Sequence, residues 1–175
     1  GGGEYDRASS VVEKATPGAA VPLPNPTIQA ALALVTAGGV VEIGDSGRYS
    51  EMPAITANAN AKVELRAANE SRPTLILGGA LEISGGTQSE VTIDGLLISD
   101  GALRVANIAG NQLRRLRLRH CTVVPAATPG LIVDTDNVEV IIDRCILGGL
   151  RIAAGSSVTI TNSIIDATTE TAIAY

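Results

Sequence analysis

The chain of 175 residues carries one histidine, and it stands beside one of only two cysteines in LRLRHCTVV, Leu116 to Val124. An imidazole next to a thiol could ligate a metal or activate a nucleophile. Two acidic sets also have the right chemistry. Asp94 and Asp143 occupy matched places in VTIDGLLI and VIIDRCIL and could serve as the acid and base of a glycosidase. Asp134-Thr135-Asp136, followed by Asn137, resembles an oxygen-rich turn of the kind that binds calcium. The glycines of Gly85-Gly86-Thr87 and Gly148-Gly149 could form phosphate-cradling loops, and Thr159-x-Thr161 could belong to a flat ice-binding face.

The elements that must hold these residues repeat. VTIDGLLI (Val91 to Ile98), LRLRHCTV (Leu116 to Val123), VIIDRCIL (Val140 to Leu147) and VTITNSII (Val158 to Ile165) align without gaps, and VELRA at Val63 is a fainter copy. The starts are spaced by 28, 25, 24 and 18 residues, so insertions fall between the copies and not within them. A second series runs out of phase: LEI at Leu81, LRV at Leu103, LIV at Leu131, LRI at Leu150 and AIA at Ala172. With TLIL at Thr74 to Leu77 in the middle slot, each period holds three short β runs. That is the content of one coil of a parallel β-helix, whose interior is completed by stacking coils. A leucine-rich repeat would need a helical segment per unit and a consensus Asn, and both are missing. The fold class predicted is all-β: a right-handed, single-stranded parallel β-helix with three short strands per coil.

The strand at Val40 to Ile43 supplies an earlier coil, and NPTIQAALALVTAGG before it predicts a capping α-helix over 25–38. Asn25 is the expected N-cap and Pro26 the first helical residue. Ile28, Leu32 and Val35 form the apolar stripe, and Gly38 ends the helix. Residues 1–24 are expected to be a cloning remnant, from Gly1-Gly2-Gly3, plus an extension or linker. Residues 25–175 are expected to be one β-helix domain, with coils over 40–175.

Aligning the copies assigns columns, because alternate residues of a strand face opposite ways. Val91, Leu116, Val140 and Val158 point inward, as do Ile93, Leu118, Ile142 and Ile160. Arg66, Asp94, Arg119, Asp143 and Thr161 form an outward column of alternating charge, with Glu82 and Arg104 a similar pair on the third face. Such exposed contacts are each worth less than about 1 kcal/mol and serve register and solubility. Asp94 and Asp143 would lie roughly 9 to 10 Å apart, at the upper range for an inverting pair. Arg119 between them favours ionised neighbours, whereas a general acid must keep its proton. Asp134 and Asp136 read as a solvated Asx turn between coils. His120 falls in a turn column with Gly95, Arg144 and Asn162 and is expected to be exposed. Cys121 shares an inward column with Leu96, Cys145 and Ser163. Cys121 and Cys145 should therefore stack on adjacent coils as free thiols, pointing away from His120. The threonine pair is not repeated, since its counterparts are Thr92/Asp94, Arg117/Arg119 and Ile141/Asp143. Neither glycine pair leads into a helix.

Composition narrows the functional classes. Hydrophobic residues make up 45%, yet Phe and Trp are absent and Tyr occurs three times, so the core is built from Val, Ile, Leu and Ala. The net charge of −5 and the lack of stacking aromatics argue against nucleic acid as a partner. No apolar run approaches the roughly 18 residues of a membrane helix, and the N-terminus lacks the regions of a signal peptide. The compartment is left unassigned.

TIQAALALVTAGGVVEIGDSGRYSE is similar to the opening of proteins of the pectin lyase-like right-handed β-helix superfamily, in which a short helix leads through Gly-Gly into the first strand and a G-x-Y turn. The resemblance spans Asn25 to Tyr175. It implies the fold, while the superfamily includes lyases, glycoside hydrolases, virion spikes and adhesins. Polygalacturonase-like members carry clustered aspartates with Gly-His-Gly and Arg-x-Lys segments, and neither segment occurs here. Pectate lyase-like catalysis would need calcium-binding acids beside an Arg or Lys base, and the columns group none. No catalytic, cofactor-binding or metal-ligating residue is therefore assigned. The expected role is a non-enzymatic structural or binding module, a spacer or attachment domain. Its expected partner is a second copy joined end to end through open coils, or further domains. The alternative is a carbohydrate-active enzyme or a polysaccharide-binding domain using a lateral groove.

Overall fold

Aliphatic alternation in strands of two to six residues, punctuated by turns, gives a solenoid in which each strand finds its partners in the coils before and after it. The computed structural model describes residues 18–21, 25–126 and 128–168, and for 18–21 the backbone course alone. Among the described residues all the strand pairings are parallel. Sheet I stacks seven strands in chain order: Gly18–Val21, Gly39–Ile43, Lys62–Ala67, Glu90–Asp94, Arg115–Arg119, Glu139–Asp143 and Ser157–Thr161. Sheet II stacks Arg48–Ser50, Thr74–Ile76, Leu97–Ser99, Thr122–Val123, Ile146–Gly148 and Ile164–Asp166. Sheet III stacks Ile55–Ala57, Ala80–Gly85, Ala102–Val105, Leu131–Val133 and Leu150–Ile152. The chain visits the sheets in the order I, II, III, so the protein is an all-β parallel β-solenoid with three strands per coil.

The register follows the aligned columns. Val91, Leu116, Val140 and Val158 are neighbours on sheet I, as are Ile93, Leu118, Ile142 and Ile160. Both columns are buried through Val140 and Ile142 and form one continuous core with their counterparts on the other two sheets. Because side chains alternate with period two, a slip of one residue would turn this entire set outward, so the core itself specifies the register.

The cap at the N-terminal end differs from expectation. The helix runs Ile28–Leu34, and its N-cap is Thr27, whose Oγ1 accepts the Ala30 N–H at 3.1 Å; Asn25 and Pro26 precede it. Glu51 takes the remaining N-terminal donors, with Oε1 3.0 Å from the Ile28 nitrogen and Oε2 3.2 Å from that of Gln29. These bonds satisfy donors that a helix start leaves without internal partners. Ile28, Ala31, Leu32 and Val35 are buried on the end of the core, as the apolar stripe predicted. The helix stops at Val35, and Gly38 and Gly39 take φ values of +116° and +145° to swing the chain into sheet I. Gly18–Val21, within the stretch expected as an extension, pairs with Val40 to Ile43. The AIA run at Ala172 lies outside the described residues.

Candidate functional site

The turn from sheet I to sheet II positions the chain's only histidine. Gly95, His120, Arg144 and Asn162, the aligned turn column, all have positive φ, at +77°, +50°, +52° and +51°. Left-handed backbone costs most residues roughly 1–2 kcal/mol. Here it is held by a ladder in which the N–H of each turn residue donates to the next coil: Gly95 to Arg119 O at 3.0 Å, His120 to Asp143 O at 3.1 Å, Arg144 to Thr161 O at 3.1 Å.

From this turn His120 leans back over the preceding coil. Its Nδ1 lies 3.0 Å from Asp94 Oδ1, and Arg144 Nη1 lies 3.3 Å from its Nε2. A guanidinium can only donate, so Nε2 accepts and the ring proton sits on Nδ1, facing the carboxylate. Arg119 Nη2 takes the other Asp94 oxygen at 2.9 Å. His120 is consequently half-buried, not exposed. The outward column is also not an open ladder of charge. Asp94 is 0% exposed, and Arg66, with Nε 3.2 Å from Glu42 and Nη1 3.6 Å from Glu64, is 2% exposed. Long guanidinium arms lie along the sheet and bridge coils, so residues that point away from the core are still removed from water.

The second member of the original pair goes the other way. Cys121 is buried in the core with its Sγ 3.1 Å from Arg119 O, so the structure does not bring it to His120. Cys121 and Cys145 are both free thiols on adjacent coils, as the columns predicted. They share one bonding pattern with Ser163 on the next coil. Cys145 Sγ donates to Asp143 O at 3.2 Å and accepts the Cys121 N–H at 3.4 Å. Ser163 Oγ donates to Thr161 O at 2.7 Å and accepts the Cys145 N–H at 2.9 Å. The column is therefore a ladder of small donor-acceptor side chains that satisfies backbone groups at the turn. Burial pushes the Cys121 thiol well above its ordinary range, which keeps it protonated and unreactive.

The acidic candidates are similarly engaged. Asp143 Oδ1 accepts from Thr161 Oγ1 at 2.7 Å and Asn162 Nδ2 at 3.2 Å, and these two bonds hold its carboxyl below the usual range. The charge nearest Asp143 is Arg144, at 3.9 Å, while Arg119 turns to Asp94; the expectation that Arg119 bridges both carboxylates holds for one. Asp134 sits between Arg104 Nη2 at 3.1 Å and Arg151 Nη2 at 2.9 Å. Burial alone would raise its carboxyl, but bonds from Arg151 and Arg104 outweigh this and hold it low. Asp136 accepts the Gly155 N–H at 3.2 Å, and Thr135 O accepts from Ser156 Oγ at 2.9 Å. The turn thus ties coil to coil, and no group of three or more His, Cys, Asp or Glu among the described residues is arranged to hold a metal ion.

What the columns did not reveal is a groove. Between sheet III and sheet I an insertion, residues 106–113, folds back over the outer face of sheet III. Asn111 pins it: Oδ1 accepts the Gly85 N–H at 2.9 Å, and Nδ2 donates to Ala106 O at 2.9 Å and Ile83 O at 3.3 Å. Gly85-Gly86 is thereby the anchor of this loop, with the Gln112 N–H donating to Gly85 O at 2.7 Å. Beneath the overhang lies a groove of about 460 Å³ lined by Thr56, Asn58, Ser84, Ile108 and Asn111, with a hollow of about 300 Å³ beside it bounded by Glu82, Arg104, Asn107 and Ile108. Thr56 Oγ1 and Ser84 Oγ lie 3.3 Å apart on its floor, and Ile108 is exposed at its lip. The signal in the sequence was the length of ANIAGNQLR relative to the turns elsewhere. Comparison with protein-family models, with curated proteins and with solved structures finds no match to this chain.

Proposed function

We propose that this chain is a structural or binding module without catalysis, a rigid β-solenoid spacer or attachment domain, and a distant member of the pectin lyase-like superfamily. The observation that carries the reading is how the acidic side chains are employed. Asp94, Asp134 and Asp143 each bond to side chains of a neighbouring coil. A general acid needs a carboxyl that keeps its proton near neutral pH, and Asp134 and Asp143 are both shifted the opposite way. The test is incubation with neutral and acidic polysaccharides, with and without calcium, measuring new reducing ends and unsaturated products. No release is expected. Release that is lost in Asp94→Asn or Asp143→Asn would overturn the reading.

A second reading, polysaccharide binding without cleavage, is favoured by the groove on sheet III. Its floor of hydroxyls and amides beside the Glu82–Arg104 pair, 3.6 Å apart, offers the mixed donors and acceptors that sugar hydroxyls require. Titration calorimetry against oligosaccharides distinguishes the two readings: binding abolished by Ser84→Arg, which fills the groove, would establish the second.

A further inference from the structure

The groove and the hollow on sheet III form one depression, because Ser84 and Ile108 line both. Its floor follows the chain from Ala54 to Asn58 on one coil and from Glu82 to Gly86 on the next, with Thr56 paired beside Ser84. Four steps of extended chain cover about 13 Å, so the depression is long enough for more than one sugar ring lying along the strands. The main-chain groups of these strands are engaged in the parallel ladder. What a ligand meets on this face is therefore side chains.

The charge of the lining decides which glycan fits. Among the described residues, Glu82 and Arg104 are the charged side chains of this depression. Arg104 is drawn away by Asp134, which lines neither part: Nε and Nη2 each lie 3.1 Å from Asp134 Oδ2, while Nη1 is 3.6 Å from Glu82 Oε1. A guanidinium recognises a carboxylate or sulfate through paired N–H donors, and two of these donor groups are already committed to Asp134. An anionic sugar entering the hollow would instead face Glu82, whose side chain is 44% exposed. Like charges brought together across an interface are unfavourable, and the net charge of −5 opposes a polyanion at longer range as well. The rest of the lining is uncharged. Thr56, Asn58 and Asn107 are exposed and offer a hydroxyl and two amides. Ile108, exposed over the junction, offers aliphatic surface to the C–H face of a ring.

We propose that this depression binds an uncharged glycan chain and discriminates against chains bearing uronate or sulfate. Glu82 sets the discrimination, and Asp134 keeps Arg104 from acting as an anion receptor. This rests on the second reading above, that the groove holds polysaccharide without cleaving it, and narrows that reading to a chemical class.

The test is titration of the isotope-labelled full chain with cellohexaose, mannohexaose and hexagalacturonate at low ionic strength, following the amide signals of Thr56, Ser84 and Ile108. At least one neutral hexaose is expected to shift these signals saturably, with a Kd roughly tenfold or more below that of hexagalacturonate. Glu82→Gln is expected to narrow that ratio by roughly threefold or more, through tighter binding of hexagalacturonate. Glu139→Gln makes the same change of charge at an exposed position on sheet I and should leave the ratio unaltered. Hexagalacturonate bound as tightly as the neutral hexaoses would overturn the inference and leave the second reading standing, as would a ratio indifferent to Glu82→Gln. Signals unmoved by any of the three saccharides would overturn both.

Discussion

Replacing Cys145 tests whether the small-residue column exists for its hydrogen bonds or for its apolarity. The Cys145 thiol accepts the N–H of Cys121 and donates to Asp143 O in a site 2% exposed to solvent. Cys145→Val nearly preserves the volume but removes the acceptor, leaving a buried amide without its partner, which costs about 1–3 kcal/mol. Sulfur is a weak acceptor, so the lower half of that range is the better expectation. Cys145→Ser keeps both bonds, and the structure already shows the outcome: Ser163 makes the same pair of bonds one coil on, at 2.7 and 2.9 Å. Its cost is the smaller apolar surface of oxygen against sulfur, well under about 1 kcal/mol for a fraction of a methylene equivalent. Urea unfolding should therefore place Cys145→Val about 1 kcal/mol below Cys145→Ser, with equal m-values, or roughly 2–4 °C apart in thermal midpoint for a chain of this size. The Cys121 amide should exchange faster in the valine variant alone. If valine proves as stable as serine, or more so, the column is selected for greasiness and the hydrogen-bond ladder is incidental.

Three further outcomes follow from the electrostatics. Arg66→Met should cost about 3–5 kcal/mol in chemical denaturation, because it withdraws a buried guanidinium from between Glu42 and Glu64, whereas Lys62→Met, on a side chain 76% exposed beside Glu90, should cost less than about 1 kcal/mol. Asp134 and Asp143 have folded-state pKa values below their unfolded ones, so their contribution is present above the ordinary Asp pKa near 3.9 and is lost as pH falls through the folded values; stability measured from pH 7 downward should hold until about pH 4 and then decline, and Thr161→Val should flatten that decline by removing the larger of the two hydrogen bonds that hold Asp143 low. Tyr49 is pushed up to about 12 by burial and by its 2.8 Å bond to Asp45, so its contribution is present below the unfolded pKa near 10 and is lost as pH rises through about 12; ultraviolet titration should show a late-ionising tyrosine that disappears in Tyr49→Phe.

The inward columns were legible because packing enforces them. A polar residue at Leu118 or Ile142 would have nowhere to go, and the aliphatic run at fixed spacing admits one register. The turn column was legible too, since Gly95 and Asn162 tolerate left-handed backbone and so mark the conformation that His120 and Arg144 share. The helix start was not, because Asn25 and Thr27 are both good caps and only the reach of Glu51, far along the chain, favours the later one. Burial of Asp94 and Arg66 was also out of reach, for alternation gives the side of the sheet and not what lies over it.

That distinction bears on where function can sit in a fold of this kind. A side chain in a repeated outward column acquires neighbours from the coils before and after it, about 4.8 Å away on each side. Charges on neighbouring coils neutralise one another, as Glu82 and Arg104 do within one column of sheet III, while Asp134, just past the strand whose Ile132 continues that column, takes both Arg104 and Arg151. The regularity that makes such residues visible in an alignment therefore makes them poor candidates for chemistry. Polar groups remain available to a ligand where the repeat is broken, and here the break that shapes a groove is the insertion over 106–113. Thr56, Ser84 and Asn107 beside it carry no signature that spacing could reveal. A search for function on this solenoid belongs at its irregularities, and His120, for all its prominence in the sequence, is a rung.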